Sequence, residues 1–270
     1  MPLVCQGERV RQRKGEVGPA LNTLITGASS GIGEALAVAC ASCGDALFLS
    51  GRDAARLEAV AGKCREMGAT VVSKTVDVRD EDAMRGWIRE CDAAAPLERV
   101  FANAGVSTGE ETEENARRTF ETNVGGCVNT VFPAIEAFRT NPAGRRRRQI
   151  VITASIAGYA PLKACPSYSA SKSCVKTWGL ALRGALANEG IEVCVVCPGF
   201  VRSRITDANT CPMPFFMEAP KAAKIILRRA DRNVGLIAFP WPMRFGSWLL
   251  STLPASLASA VNRLLPKKVI

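Results

Sequence analysis

Apolar runs long enough for β-strands recur along the chain at LNTLIT, DALFLS, ATVVSKTV, RVFANAG, QIVITAS, IEVCVVC and VGLIAF, and segments of helical length separate them. Seven strands joined by helical crossovers predict an α/β fold, a doubly wound parallel sheet with helices on both faces. The runs are continuously apolar rather than alternating, as strands buried on both sides require. Residues 1–19 are polar, basic and without hydrophobic period, and read as a flexible leader. Residues 20–240 read as one domain, and residues 241–270 as a helical extension. In the extension Pro254 suits a first helical position, and Leu257, Val261, Leu264 and Leu265 follow on one face before Pro266 stops the run. With Trp241 and Trp248 at apolar–polar boundaries and Lys267 and Lys268 beyond, this stretch has the make-up of a helix lying on an anionic membrane surface. A cover for the core or a subunit interface fits the same pattern.

Ligands of such sheets bind beyond the carboxyl ends of the strands, where the strand order reverses. The residues there are GASSGIG, GRD, DVRD, NAG, SIAG and PGFVRS. The first of these sets Gly27, Gly31 and Gly33 around Ser29, Ser30 and Ile32, between a strand and a helix. Glycine lets the backbone approach a pyrophosphate, whose charge meets backbone N–H groups and the positive helix end. About 25 residues on, where a dinucleotide fold reads the adenine ribose, stand Arg52 and Asp53. Arg52 can pair with a 2′-phosphate and Asp53 suits the cap of the next helix, so NADP(H) is favoured over NAD(H). Asp77 and Val78 follow the third strand, where Asp77 is placed to accept from the adenine amino group.

Composition narrows the chemistry. The chain has no histidine, which excludes a Ser-His-Asp hydrolase, a His-ligated zinc enzyme and a histidine proton shuttle. Among the eleven cysteines two pairs have the spacing C-x-x-C, Cys40 with Cys43 and Cys194 with Cys197. Both suit core positions better than metal ligands, because residues three apart in a strand face opposite sides of the sheet. The odd cysteine total and the lack of a signal peptide predict a reducing cytoplasm. The net charge is +10, with basic clusters at RVRQRKG, at Arg145 to Arg148 and at the terminal KKVI. These read first as a solvated face and second as attraction to anionic surfaces. No nucleic-acid partner is expected. The tetra-arginine run precedes a strand, at the end of the sheet opposite the expected site. No run reaches the 18 apolar residues of a spanning helix.

The remaining motifs bear on reactivity. NAG at Asn103, Ala104 and Gly105, Asn123 in TNVGG, Ser155 in TASIAG, YSASK thirteen residues later, and Pro198 with Gly199 occur in this order. Tyr168 and Lys172 are four apart, hence on one helical face, and a nearby ammonium would lower a phenol pKa from its usual value of about 10. The pair can then serve as acid or base where histidine is missing, while Ser155 orients a substrate oxygen. Together with the cradle, these motifs resemble the short-chain dehydrogenase/reductase family over roughly residues 20–205. The resemblance implies a Rossmann-like catalytic domain that interconverts a ketone or aldehyde and an alcohol, in a homodimer or homotetramer. It implies that Lys172 also bonds the nicotinamide ribose and that Asn123 holds a water linking the lysine to solvent. It also implies cofactor contacts from Asn103, Ala104, Gly105, Tyr168, Pro198, Gly199, Val201 and Ser203. Two positions depart from the pattern: Ala102 replaces the first Asn of the usual NNAG, and Ser203 replaces a threonine. The segment at about 200–230, which sets substrate choice in the family, carries Met213, Phe215, Phe216 and Met217. This cluster reads as a lid over a lipophilic substrate or as closure of the core. A nucleotide-binding regulator that keeps the fold without turnover is the alternative.

Overall fold

The computed structural model describes residues 20–140, 142–207, 212–254, 256–257 and 260–261. The expected leader, Leu264, Leu265, Lys267 and Lys268 lie outside them. All seven expected strands are present: β1 (Thr23–Thr26), β2 (Ala46–Gly51), β3 (Thr70–Thr75), β4 (Arg99–Ala102), β5 (Gln149–Thr153), β6 (Glu192–Pro198) and β7 (Leu236–Phe239). They form one parallel sheet in the order β3-β2-β1-β4-β5-β6-β7. The order reverses between β1 and β4, so a crevice opens at their carboxyl ends. The chain crosses between strands through α1 (Gly31–Ala41), α2 (Ala54–Glu66), α3 (Glu81–Ala94), α4 (Glu113–Phe120), α5 (Gly126–Thr140), α6 (Pro166–Ala185), the short α7 (Arg204–Asp207) and α8 (Ala219–Asp231). An α9 (Trp241–Thr252) follows β7. Local chemistry starts several of these: Asp53, Asp80 and Thr112 accept from the backbone N–H groups of Arg56, Ala83 and Asn115 at the first turns of α2, α3 and α4.

Two apolar layers sandwich the sheet. Leu24, Val100, Ile150, Ile152 and Val195 pack with Met84, Ile88, Val131, Phe138 and Val175 on the side of α3, α5 and α6. Ile25, Leu47, Leu49, Phe101 and Val151 pack with Leu36, Leu57, Ile226 and Leu227 on the side of α1, α2 and α8. Cys197 belongs to the first layer and Cys194 to the second, on opposite faces as their spacing requires. The edge strand β3 departs from the expected double burial: its outer side is open, and Val72 is 44% exposed.

The tetra-arginine run is not a solvated face. The buried Arg145 guanidinium donates to both carboxylate oxygens of Asp92 at 2.6 and 2.9 Å and to the carbonyls of Leu97 and Ala137. Arg146 pairs with the buried Glu98, and Arg147 with Glu192 and the last carbonyls of α8. Arg145 and Arg147 need such partners because they are largely out of water, whereas Arg146 stays exposed on its outer side. The run thus binds the amino-terminal edge of the sheet together, and the solvated reading is corrected for Arg145 and Arg147.

Asp45 lies buried just before β2, accepting from the N–H of Leu21 and the hydroxyl of Thr23. Burial outweighs these bonds and raises its pKa from 3.8 to about 6. The folded chain therefore holds this proton more tightly than the unfolded chain. The stability it lends is complete below the unfolded pKa and is lost as pH rises through about 6. The loss amounts to about 3 kcal/mol. Urea unfolding across this range should show that slope in the native chain and a flatter profile in Asp45→Asn.

Candidate active site

The turn after β1 brings the backbone of residues 27–30 under the amino end of α1. Only glycine fits at position 33, because a Cβ there would stand 2.2 Å from the carbonyl oxygen of Gly27. Ser30, at the N-cap of α1, makes no side-chain capping bond. The first turn of the helix is thus left without a side-chain acceptor, in a cleft of about 370 Å³ lined by Gly27, Ser29, Ser30, Gly31 and Ile32. A helix end of this kind suits a pyrophosphate. Thr26 and Asn103 hold the crevice together. The Thr26 hydroxyl accepts from the N–H groups of Asn103 and Ala104, and the Asn103 amide donates to the Thr26 carbonyl and accepts from the Thr153 hydroxyl.

The cleft extends from this cradle across Arg52 and Val78 to Asn103, Ala104, Gly105, Ser155, Tyr168, Lys172, Pro198, Gly199, Val201 and Ser203. Asp53 is taken up by its cap to Arg56 and an ion pair with the same residue at 2.9 Å. No carboxylate pairs with Arg52 among the described residues. Three expected residues do not line the cleft. Gly33 lies under the turn. The Asp77 carboxylate is bonded by the backbone N–H and guanidinium of Arg79, which hold its pKa below the usual range. The buried Asn123 spends its amide on both backbone groups of Val106 and on the Ser171 hydroxyl.

The side chains expected to react come from just past β5 and from α6. Ser155 caps a 3₁₀ turn, Ile156–Gly158, and its hydroxyl accepts from the N–H of Ala157. That turn packs directly on α6: a Cβ at Gly158 would meet the Lys172 carbonyl oxygen at 2.7 Å. Lys172 is buried, its ammonium donates to the Thr153 carbonyl at 2.9 Å, and it stands 5.9 Å from the Tyr168 ring centre. Burial pushes the Tyr168 phenol up to about 12, against a smaller lowering by its hydrogen bond to Ser155. Burial likewise brings Lys172 down to about 8. The expected lowering of the phenol pKa by the ammonium is therefore not what the chain alone produces. Desolvation is the larger effect, and the lysine is bonded to a carbonyl rather than to the phenol.

Arg118 and Thr122 also line the cleft and were not expected from the sequence. A π-helical turn, Glu121–Gly125, joins α4 to α5 and sets which side chains face inward. No motif announces such a turn. Of the presumed lid, Met217 packs against the core while Phe215 and Phe216 are exposed and do not line the cleft.

The short chain dehydrogenase family model matches residues 22–212. An uncharacterized oxidoreductase of Myxococcus xanthus is 35% identical over 89% of this chain and 95% of its own length. A galactitol 2-dehydrogenase (L-tagatose-forming) of Cereibacter sphaeroides is 32% identical over 67% of this chain and 72% of its own length. Among solved structures, a short-chain dehydrogenase from Sphingobium yanoikuyae in complex with NADPH is 28% identical, with a TM-score of 0.73 over 88% of this chain and 97% of that one. One from Mycobacterium paratuberculosis, bound to NAD, shares the fold at 23% identity, with a TM-score of 0.72 over 86% of this chain and 100% of that one. A cleft that joins a phosphate cradle to a serine, a tyrosine and a lysine agrees with this kinship: the chain belongs to the short-chain dehydrogenase/reductase family, enzymes that interconvert alcohols and carbonyl compounds with a nicotinamide cofactor.

Proposed function

We propose that the chain interconverts a lipophilic ketone or aldehyde and its alcohol with NADP(H), at the cleft where Ser155, Tyr168 and Lys172 meet the cradle. The observation that carries this reading is that these three side chains and the uncapped end of α1 line one cavity. Gly27, Ser29, Ser30, Gly31 and Ile32 would hold the pyrophosphate, with Val78, Asn103, Ala104, Gly105, Val201 and Ser203 along the nucleotide. Bound there, the cofactor supplies or accepts the hydride.

Tyr168 gives its proton to the carbonyl oxygen in reduction and takes it back in oxidation. Ser155 donates to the same oxygen and holds it in line. A phenol pushed up to about 12 is protonated at neutral pH, the state that reduction requires. Lys172, held by its carbonyl partner with a pKa of about 8, keeps a positive charge on the same helical face as the phenol at neutral pH. Support for NADP(H) comes from Arg52, a cation on the cleft wall with no carboxylate in direct ion-pair contact among the described residues, beside an aspartate already committed to capping. Val106, Val201 and Ile205 on the wall, with Phe215 and Phe216 exposed nearby in sequence, support a lipophilic substrate.

Three outcomes follow. In a screen of ketones and secondary alcohols followed by absorbance of the reduced cofactor, Tyr168→Phe should lose about 10²–10⁴-fold in kcat while still binding NADPH. Full activity in that variant would refute the mechanism. Alcohol oxidation should climb as pH rises from neutral into the alkaline range, because it needs the phenolate, whereas ketone reduction should not climb. Arg52→Ala should lower kcat/KM with NADPH by about 10- to 100-fold and leave NADH little changed, since a charge-assisted bond to a phosphate is worth roughly 1.5–3 kcal/mol. Equal losses with both cofactors would assign Arg52 a structural role.

A further inference from the structure

Exposed apolar surface on this protein is concentrated at one end of the chain. Of the thirteen large hydrophobic side chains that are exposed among the described residues, eight follow residue 214, so this end is where a partner surface is to be sought. Four belong to α9: Trp241, Phe245, Trp248 and Leu249 are 75%, 55%, 50% and 47% exposed. Their spacing of four, three and one places them on one side of the helix. The inner side is fixed to the fold, since Met243 packs against the core and closes on Gly199, where a Cβ would stand 2.9 Å from its sulfur. Phe245 and Trp248 stack at 5.9 Å between ring centres, which holds them outward together.

The turn bearing Phe215 and Phe216 lies along the same edge. Val201 bridges to Met217, and the N–H of Met217 donates to the carbonyl of Phe200, one residue beyond Gly199. Both exposed segments therefore flank residues 199–201, which form the rim of the reaction cleft. Charge identifies what covers this face. From Arg232 to Ile270 there are five arginines and lysines and no aspartate or glutamate, and Arg244 is exposed on α9. Outward aromatic side chains on α9, in a stretch of sequence that carries cations and no carboxylate, match the headgroup layer of an anionic membrane, where tryptophan sits at the boundary of water and hydrocarbon; beside the Phe215–Phe216 turn the one carboxylate, Glu218, is paired with Arg202. No helix among the described residues is long and apolar enough to cross a membrane, so the contact is one that lies on the surface.

We propose that α9, with the turn at Phe215 and Phe216, docks the enzyme on an anionic lipid surface and opens the cleft rim toward it, so that lipophilic substrate is taken up from the membrane. The uptake rests on the substrate class proposed above; the docking does not.

The test uses the full chain with vesicles of phosphatidylcholine alone and of phosphatidylcholine with phosphatidylglycerol. The chain should sediment with the anionic vesicles, and added salt should weaken the binding. Its tryptophan emission should shift to the blue and be quenched by brominated acyl chains, since of the four tryptophans Trp87 is buried and Trp178 half-buried while Trp241 and Trp248 are exposed, and the change should vanish in Trp241→Phe combined with Trp248→Phe. Trp241→Ser combined with Phe245→Ser and Trp248→Ser should reduce partitioning at least about tenfold. Met67→Ser with Val72→Ser, at exposed apolar positions elsewhere, should leave it unchanged. If the triple variant does not fold, quenching in the unmodified chain decides. No sedimentation and no quenching would overturn the proposal. So would a native dimer that the triple variant splits into monomers without any vesicle binding, because a second copy would then cover the face. Vesicle binding without turnover of any lipophilic ketone would refute the proposed function and leave the docking in place.

Discussion

Where two neighbouring parallel strands send their chains off in opposite directions, their carboxyl ends must be held together by something other than the sheet's own ladder. Here that task falls to Thr26 and Asn103, which bond the last residue of β1 to the residues just past β4 and to Thr153 of β5. The crevice stays open between these bonds, and the site depends on its position. The cradle lies on one side of it, and on the other β5 delivers Ser155 while its last carbonyl anchors Lys172. The cradle and Ser155 are thus placed by strand ends, and Tyr168 and Lys172 by a helix tied to one of them, which limits how far they can drift from one another.

The two ends of the sheet treat charge differently. At the amino-terminal edge the arginines are answered: Arg145 by Asp92, Arg146 by Glu98, Arg99 by Gln149 and Asp231. At the carboxyl edge the amino end of α1 stands without a side-chain cap, and Arg52 has only the through-space pull of Asp77, which is itself bonded to Arg79. Ions that hold the fold together are neutralised within it. Those left over at the cleft are the groups to which an outside anion can bind.

The strands were legible because each is a short apolar run between polar helices, and burial on both faces admits little else. The cap at Asp53 and the opposed faces of Cys194 and Cys197 followed from spacing alone. The arginine run was misread because a sequence shows that charge is clustered, but not that Asp92, Glu98 and Glu192 converge on it from three separate segments. Thr122 was missed because it sits in a π-helical turn that leaves no signature in residue type, and Arg118 because nothing in the sequence of α4 shows which of its charged side chains reaches the cleft. Tyr168 and Lys172 were legible as a pair, yet the direction in which their pKa values move depends on burial, and four-residue spacing does not reveal that.

The seat of Gly158 against α6 sets the distance between Ser155 and the Tyr168–Lys172 face by main chain touching main chain. Such a contact is a mechanical stop that no rotamer change can relax. Arg204 and Ile205 at the cleft rim lie outside this contact. The fold can therefore exchange such residues to accept a different molecule while the proposed trio of Ser155, Tyr168 and Lys172 keeps its dimensions.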